Sequence, residues 1–108
     1  MARQDVCAID DIQEGDKKAF KVLGTPLLVF RSGGTVQVLR NRCAHMNLPL
    51  SPGKFDGTHI TCIFHGARFD VRTGKRDKPA WLLGNVIGSD CVQHFDAVVE
   101  NGRVFVEL

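Results

Sequence analysis

The chain has 108 residues, 44% of them hydrophobic, with a formal net charge of +2. That length suits one domain with a modest core and leaves no room for a second catalytic domain. The start shows no signal-peptide pattern and no apolar stretch is long enough to cross a bilayer, so a soluble cytoplasmic protein with no membrane contact is expected.

In chain order, Gln4 to Ile9 and Lys17 to Leu23 are predicted strands bracketing the polar turn Asp10 to Asp16. Leu27 to Arg31 and Thr35 to Leu39 flank Ser32-Gly33-Gly34 as a hairpin. His59 to Cys62 and Ala67 to Val71 are the expected strands of a small subdomain. The stretch from Trp81 to Gln93 reads as a short helical turn or a loop, because Gly84, Gly88 and Ser89-Asp90 interrupt it. Phe95 to Val99 and Arg103 to Glu107 face each other across Asn101-Gly102, the strongest hairpin signal in the chain. Nothing repeats, and little of the sequence suits a helix. The expected fold is all-β, an antiparallel sandwich or barrel base with a small subdomain inserted at one end.

Chemistry concentrates in two short segments. Cys43-Ala44-His45 and Cys62-Ile63-Phe64-His65 each place a sulfur ligand just before a nitrogen ligand, and sixteen residues lie between His45 and Cys62. Structural zinc sites more often pair Cys with Cys and His with His, since each pair comes from one hairpin or one helical turn. Mixed pairs suit two loops that approach a diiron core from opposite sides. Zinc and four unliganded residues stay open as the other readings. Pro49, Pro52, Gly53 and Gly66 punctuate the loops where backbone must come close to an inorganic core.

At these residues the chain resembles the Rieske 2Fe-2S family, in particular the small ferredoxins that serve ring-hydroxylating oxygenase systems. The resemblance extends through His65-Gly66-Ala67-Arg68-Phe69-Asp70, the turn Arg72-Thr73-Gly74 and Pro79, where the family places a loop covering the cluster. It implies one Rieske-type cluster within a single domain spanning 1–108, with cluster loops at about 40–80. Cys43 and Cys62 would bind the buried iron, and His45 and His65 the outer one. Two ferric ions, two sulfides, two thiolates and two neutral imidazoles sum to zero charge, so an electron adds more easily than to a four-cysteine dianion. The electron is expected near His45 and His65, with proton uptake coupled to reduction at high pH.

High-potential Rieske proteins carry an extra cysteine in each cluster loop, but Met46-Asn47-Leu48 and Ile63-Phe64 contain none. They also donate hydrogen bonds to the cluster from a serine and a tyrosine, where this chain has Ala67 and Phe69 and no tyrosine at all. Each missing donor removes stabilisation of the reduced state, so a potential on the order of −150 to 0 mV is expected.

The remaining cysteines, Cys7 and Cys91, are read as buried free thiols of a reducing compartment, with a disulfide between them as the alternative. His59 and His94 lack a third ligand between them and are read as ordinary strand or surface histidines. From Arg40 to Lys78 eight basic and three acidic residues give a net +5, while 1–39 sum to zero and 79–108 to −3. A basic cluster end suits acidic partner surfaces, whereas no aromatic and basic interleaving supports nucleic-acid binding.

No nucleotide fingerprint, nucleophile constellation or substrate motif is present, so the chain is expected to carry electrons rather than catalyse. By the resemblance, a monomer would take electrons from an NADH-dependent flavoprotein reductase and pass them to a terminal oxygenase acting on an aromatic compound. The alternative is a permanently bound small subunit of a larger oxidoreductase such as nitrite reductase.

Overall fold

The computed structural model describes residues 3–42, 49–62, 67–78, 80–82, 85–87 and 92–108. Its described residues hold thirteen strands, one 3-10 turn and no α-helix. The strands are all antiparallel, as the short alternating segments and tight turns dictate.

The centre is a four-stranded sheet built from β2 (Lys17–Val22), β3 (Thr25–Ser32), β4 (Thr35–Arg40) and β11 (His94–Phe95), in the order β11-β4-β3-β2. The run Leu27-Leu28-Val29-Phe30 in β3 is wholly buried. A continuous apolar run of that kind marks a strand covered on both faces, and β3 divides its side chains accordingly. Leu27 and Val29 pack with Cys7, Ile12, Val38, Phe95, Val104 and Val106. Leu28 and Phe30 pack with Leu39, Leu50, Ile60, Cys62, Phe69 and Val71 on the other side.

The first of these cores is closed by a three-stranded sheet, β1 (Arg3–Ala8), β13 (Arg103–Glu107) and β12 (Ala97–Glu100), with β13 in the middle. The second is closed by β5 (Lys54–Phe55), β6 (His59–Thr61), β7 (Arg68–Asp70) and β8 (Arg76–Lys78) in sequence order, the small subdomain expected from the sequence. The architecture is therefore three layers sharing one central sheet.

Three two-residue turns set the registers. Leu23-Gly24 joins β2 to β3, Gly33-Gly34 joins β3 to β4, and Asn101-Gly102 joins β12 to β13. All six residues have positive φ, between 50° and 79°, which is the primed geometry that matches strand twist.

Two readings change. Phe95 does not begin the last hairpin; it pairs with Val38 in the central sheet, and after Asp96 the chain moves to the other sheet at Ala97, which pairs with Val106. Within Trp81 to Gln93, Ala80–Leu82 (β9) and Asn85–Ile87 (β10) form a β-hairpin rather than a helical turn, with Trp81 opposite Val86. Pro79 and Cys91 lie outside the described residues, whereas Cys7 is buried and free. Among the described residues no helix is long and apolar enough to cross a membrane.

Candidate metal centre

The segments that carry the candidate ligands are anchored by what stands at their bases. β4 ends at Arg40, and the next residue, Asn41, is the only buried polar residue among the described residues. Its backbone N–H donates to the Pro26 carbonyl at 2.9 Å, which extends the β3-β4 ladder by one row. Its side-chain Oδ1 accepts from the Leu50 N–H at 2.8 Å and the Ser51 N–H at 2.9 Å. Asn41 and Leu50 thus clamp the two ends of the segment holding Cys43 and His45. A buried amide that satisfies two backbone donors fixes a loop base more firmly than apolar contact does, because each donor left unpaired would cost the full desolvation penalty.

The second segment is closed at its own base. The Cys62 N–H donates to the Ala67 carbonyl at 2.8 Å, so the chain between them, with His65, is the connection of the β6-β7 hairpin. Cys62 itself is 1% exposed and its thiol is in no disulfide. It belongs to the core that also holds Leu50, Ile60, Ala67 and Phe69.

Gly53 brings the two bases together. A Cβ on this residue would overlap the carbonyl oxygen of Thr61, the residue before Cys62, and would press on Leu50 O at 3.0 Å. The Gly53 N–H donates to that same Leu50 carbonyl at 2.8 Å. Only a residue without a side chain allows the strand after the first segment to lie this close to the strand before the second.

The Arg72-Thr73-Gly74 turn forms as expected. Asp70 accepts from the Arg72 backbone N–H at 2.8 Å and from its guanidinium at 2.9 and 3.1 Å, and the Gly74 N–H donates to Asp70 O at 2.7 Å. The Arg72 guanidinium holds the Asp70 carboxyl below its usual range. Asp56 is lowered likewise, chiefly by the Thr58 and His59 backbone N–H groups that it caps between β5 and β6.

Of the four candidate ligands the structure describes Cys62; Cys43, His45 and His65 lie outside the described residues. His59 and His94 stand apart. His59 Nδ1 is 2.7 Å from Thr58 Oγ1, and His94 Nε2 is 3.1 Å from Gln37 Oε1. Among the described residues no three His, Cys, Asp or Glu side chains gather as a metal site. A cleft of about 270 Å³ floored by Phe30, Phe55 and Val71 lies at the ends of β4 and β6 away from Asn41 and Cys62.

Sequence reasoning missed Asn41 and the tie between Gly53 and Thr61. A lone asparagine at a strand end is a weak signal, although an asparagine just before a glycine- and proline-punctuated segment is a residue type that satisfies backbone donors.

A buried free thiol at the base of a hairpin connection, next to a second clamped loop, is a donor type that suits a soft metal. These features describe a small all-β domain with one candidate sulfur ligand at a loop base. The chain belongs to the Rieske [2Fe-2S] domain family, whose model matches residues 2–81. It accordingly carries one Rieske-type 2Fe-2S cluster.

Among its relatives, Ferredoxin CarAc of Metapseudomonas resinovorans is 40% identical over 103 residues, covering 94% of this chain and 89% of that protein. The ferredoxin component of the naphthalene 1,2-dioxygenase/salicylate 5-hydroxylase systems of Ralstonia sp is 32% identical, covering 96% of this chain and 93% of its own length. The solved ferredoxin of carbazole 1,9a-dioxygenase from Nocardioides aromaticivorans IC177 superposes with a TM-score of 0.82 at 30% identity, covering 98% of this chain and 97% of the other.

Proposed function

We propose that residues 1–108 are a single Rieske domain that serves as the ferredoxin component of a ring-hydroxylating dioxygenase system, with its cluster held by Cys43, His45, Cys62 and His65. The observation that carries this reading is the extent of the likeness. The chain covers 93% of a ferredoxin component of naphthalene 1,2-dioxygenase from Pseudomonas putida, but only 31% of the methylxanthine N1-demethylase NdmA. The likeness is thus to the carrier as a whole and to only a part of the larger enzyme.

The bound cluster supplies reversible one-electron transfer. The Cys43 and Cys62 thiolates would contribute the charge that leaves the oxidised centre neutral, and neutral His45 and His65 imidazoles would add none. Burial of Cys62 behind Leu50 and Phe69 keeps water from the sulfur side, and the clamp by Asn41 and the contact of Gly53 with Thr61 hold the two loop bases at a fixed separation. A fixed ligand frame keeps reorganisation small when the charge changes. The protein is a carrier and not a catalyst. It receives electrons from an NADH-dependent flavoprotein reductase and delivers them one at a time to a terminal oxygenase that hydroxylates an aromatic compound. A solved complex of reduced oxygenase and oxidized ferredoxin in carbazole 1,9a-dioxygenase supports the second transfer, since it matches this chain at 33% identity with a TM-score of 0.78.

The test has two arms. Purified protein should contain equal iron and acid-labile sulfide with a Rieske visible spectrum that is lost when Cys43, His45, Cys62 or His65 is replaced by alanine. NADH oxidation coupled to ring hydroxylation by a reductase and an oxygenase should then depend on adding the protein. Zinc in place of iron and sulfide overturns the cluster assignment; coupled turnover that is indifferent to the protein overturns the carrier role.

A further inference from the structure

The space between the central sheet and the β5–β8 layer is filled at one end and open at the other. In the core that holds Cys62, Leu28, Leu39, Leu50 and Ile60 fill it. At the opposite end Phe30 is registered with Gln37, and Phe55 and Val71 complete an apolar floor. Ser32 and Gly57 face each other across the opening, with Ser32 Oγ 3.5 Å from where a Cβ on the glycine would stand. The cleft of about 270 Å³ is the room that such small residues leave unfilled.

The polar atoms around this floor are mostly donors. Gln37 Oε1 is 3.1 Å from His94 Nε2, so the ring N–H takes the amide oxygen and the Gln37 amide nitrogen is left as the free end. Arg72 spends Nε and Nη2 on Asp70 and keeps Nη1. No carboxylate is among the described residues that line the cleft. Below these donors the Phe30 and Phe55 rings lie with centroids 4.8 Å apart and planes tilted by 56°. A tilted pair offers a face and an edge, and a third ring can meet either.

We infer that this cleft binds a small aromatic carboxylate, with its ring on Phe30 and Phe55 and its oxygens on Arg72 Nη1 and the Gln37 amide. A guanidinium with a neighbouring neutral donor is suited to the two oxygens of one carboxylate. The volume, just below the roughly 300–1,000 Å³ of pockets for larger ligands, suits a single ring. The site lies at the ends of β4 and β6 away from Cys62 and stands independently of the carrier role.

The test titrates isotope-labelled, cluster-loaded protein with sodium benzoate, with benzyl alcohol, which lacks the carboxylate, and with sodium acetate, which lacks the ring. Benzoate should shift the Gln37 side-chain amide and the Gly57 and Thr58 backbone signals along a saturable curve, with a Kd of about 1–10 mM. The visible spectrum should stay unchanged. Benzyl alcohol and acetate should each bind at least about fivefold more weakly. Arg72→Gln should lower the affinity for benzoate about tenfold. Ser32→Leu, whose side chain enters the gap facing Gly57, should abolish binding while iron content is kept. Shifts that do not saturate, or that Ser32→Leu leaves in place, overturn the site. Benzyl alcohol as tight as benzoate, or unchanged affinity in Arg72→Gln, overturns the carboxylate as the recognised group. A visible spectrum that moves with benzoate puts the anion on the cluster and overturns the cleft as its seat. The three probes on the unaltered protein decide the outcome even where a variant loses its cluster.

Discussion

The side-chain oxygen of Asn41 and the backbone N–H of Leu50, 2.8 Å apart, close the base of the first cluster segment across nine positions of sequence. Replacing Asn41 with leucine keeps the volume but leaves the buried Leu50 N–H unpaired and the Ser51 N–H without its partner at 2.9 Å. Each buried donor lost costs about 1–3 kcal/mol. Asn41→Leu is expected to lower the thermal midpoint and to release the cluster faster under chelator, read from the decay of visible absorbance. A variant as stable and as slow to bleach as the wild type would remove the clamp from the account.

Gly53→Ala places a methyl group on the Thr61 carbonyl oxygen, a backbone atom that cannot turn aside. Overpacking of this kind costs about 1–3 kcal/mol, and here it also forces apart the strands that bear the two cluster segments. Lower cluster occupancy after expression, measured as iron per chain, should accompany the drop in denaturant midpoint. Gly33→Ala, in a turn with open space around it, is the comparison and should keep full occupancy.

The Cys7 thiol is pushed up to about 11, by burial first and then by the Asp11 and Asp5 carboxylates. At pH 8 only about one such thiol in a thousand is ionised, and the thiolate is the reactive form. Peptide mapping after treatment with a thiol reagent should find Cys7 unlabelled in the folded protein and labelled in denaturant. Rapid labelling without unfolding would contradict the burial.

Asp70 carries its charge on the Arg72 guanidinium, which lowers its folded pKa beneath the ordinary 3.8. A lowered folded pKa contributes stability that is complete above the unfolded value and is lost as pH falls through the folded one. The stability gap between wild type and Asp70→Asn should therefore stay level above about pH 5 and narrow below pH 4. Urea unfolding across that range checks the sign, and a gap that widens on acidification would be the wrong outcome.

Phe69 is fully buried and offers no hydroxyl to a bound cluster, and Ala67, equally buried, offers none either. The midpoint potential is expected on the order of −150 to 0 mV. Ala67→Ser, which adds one donor, should shift it upward. A wild-type midpoint well above about +100 mV would show that other donors replace the missing hydroxyls.

Much of the fold was legible because local chemistry and tertiary context agree. The alternation in Arg103–Glu107, the Asn101-Gly102 turn and the Gly33-Gly34 turn each specify their hairpins within a few residues, and the structure follows. The ferredoxin resemblance was legible in Cys43, His45, Cys62 and His65, whose mixed spacing is rare. Where a signal had to come from far along the chain, reading failed. Phe95 looks continuous with Ala97–Glu100, and only the available place beside Val38 explains why the strand breaks at Asp96. The β9-β10 hairpin is two three-residue strands, too short for a period to show. Asn41 gives nothing away locally, since its meaning lies in Leu50 and Ser51.

The double allegiance of β3 has one more consequence. Leu28 and Phe30 serve the layer that bears Cys62, while Leu27 and Val29 serve the layer formed by the chain's two ends. A strand that is a party wall cannot be vacated by one tenant only: if the metal-bearing layer loosens, the wall shifts for the terminal layer as well. Inventory of iron and integrity of the far sheet are thereby joined, and a molecule that sheds its cargo should present itself to proteases along its whole length rather than at one worn corner.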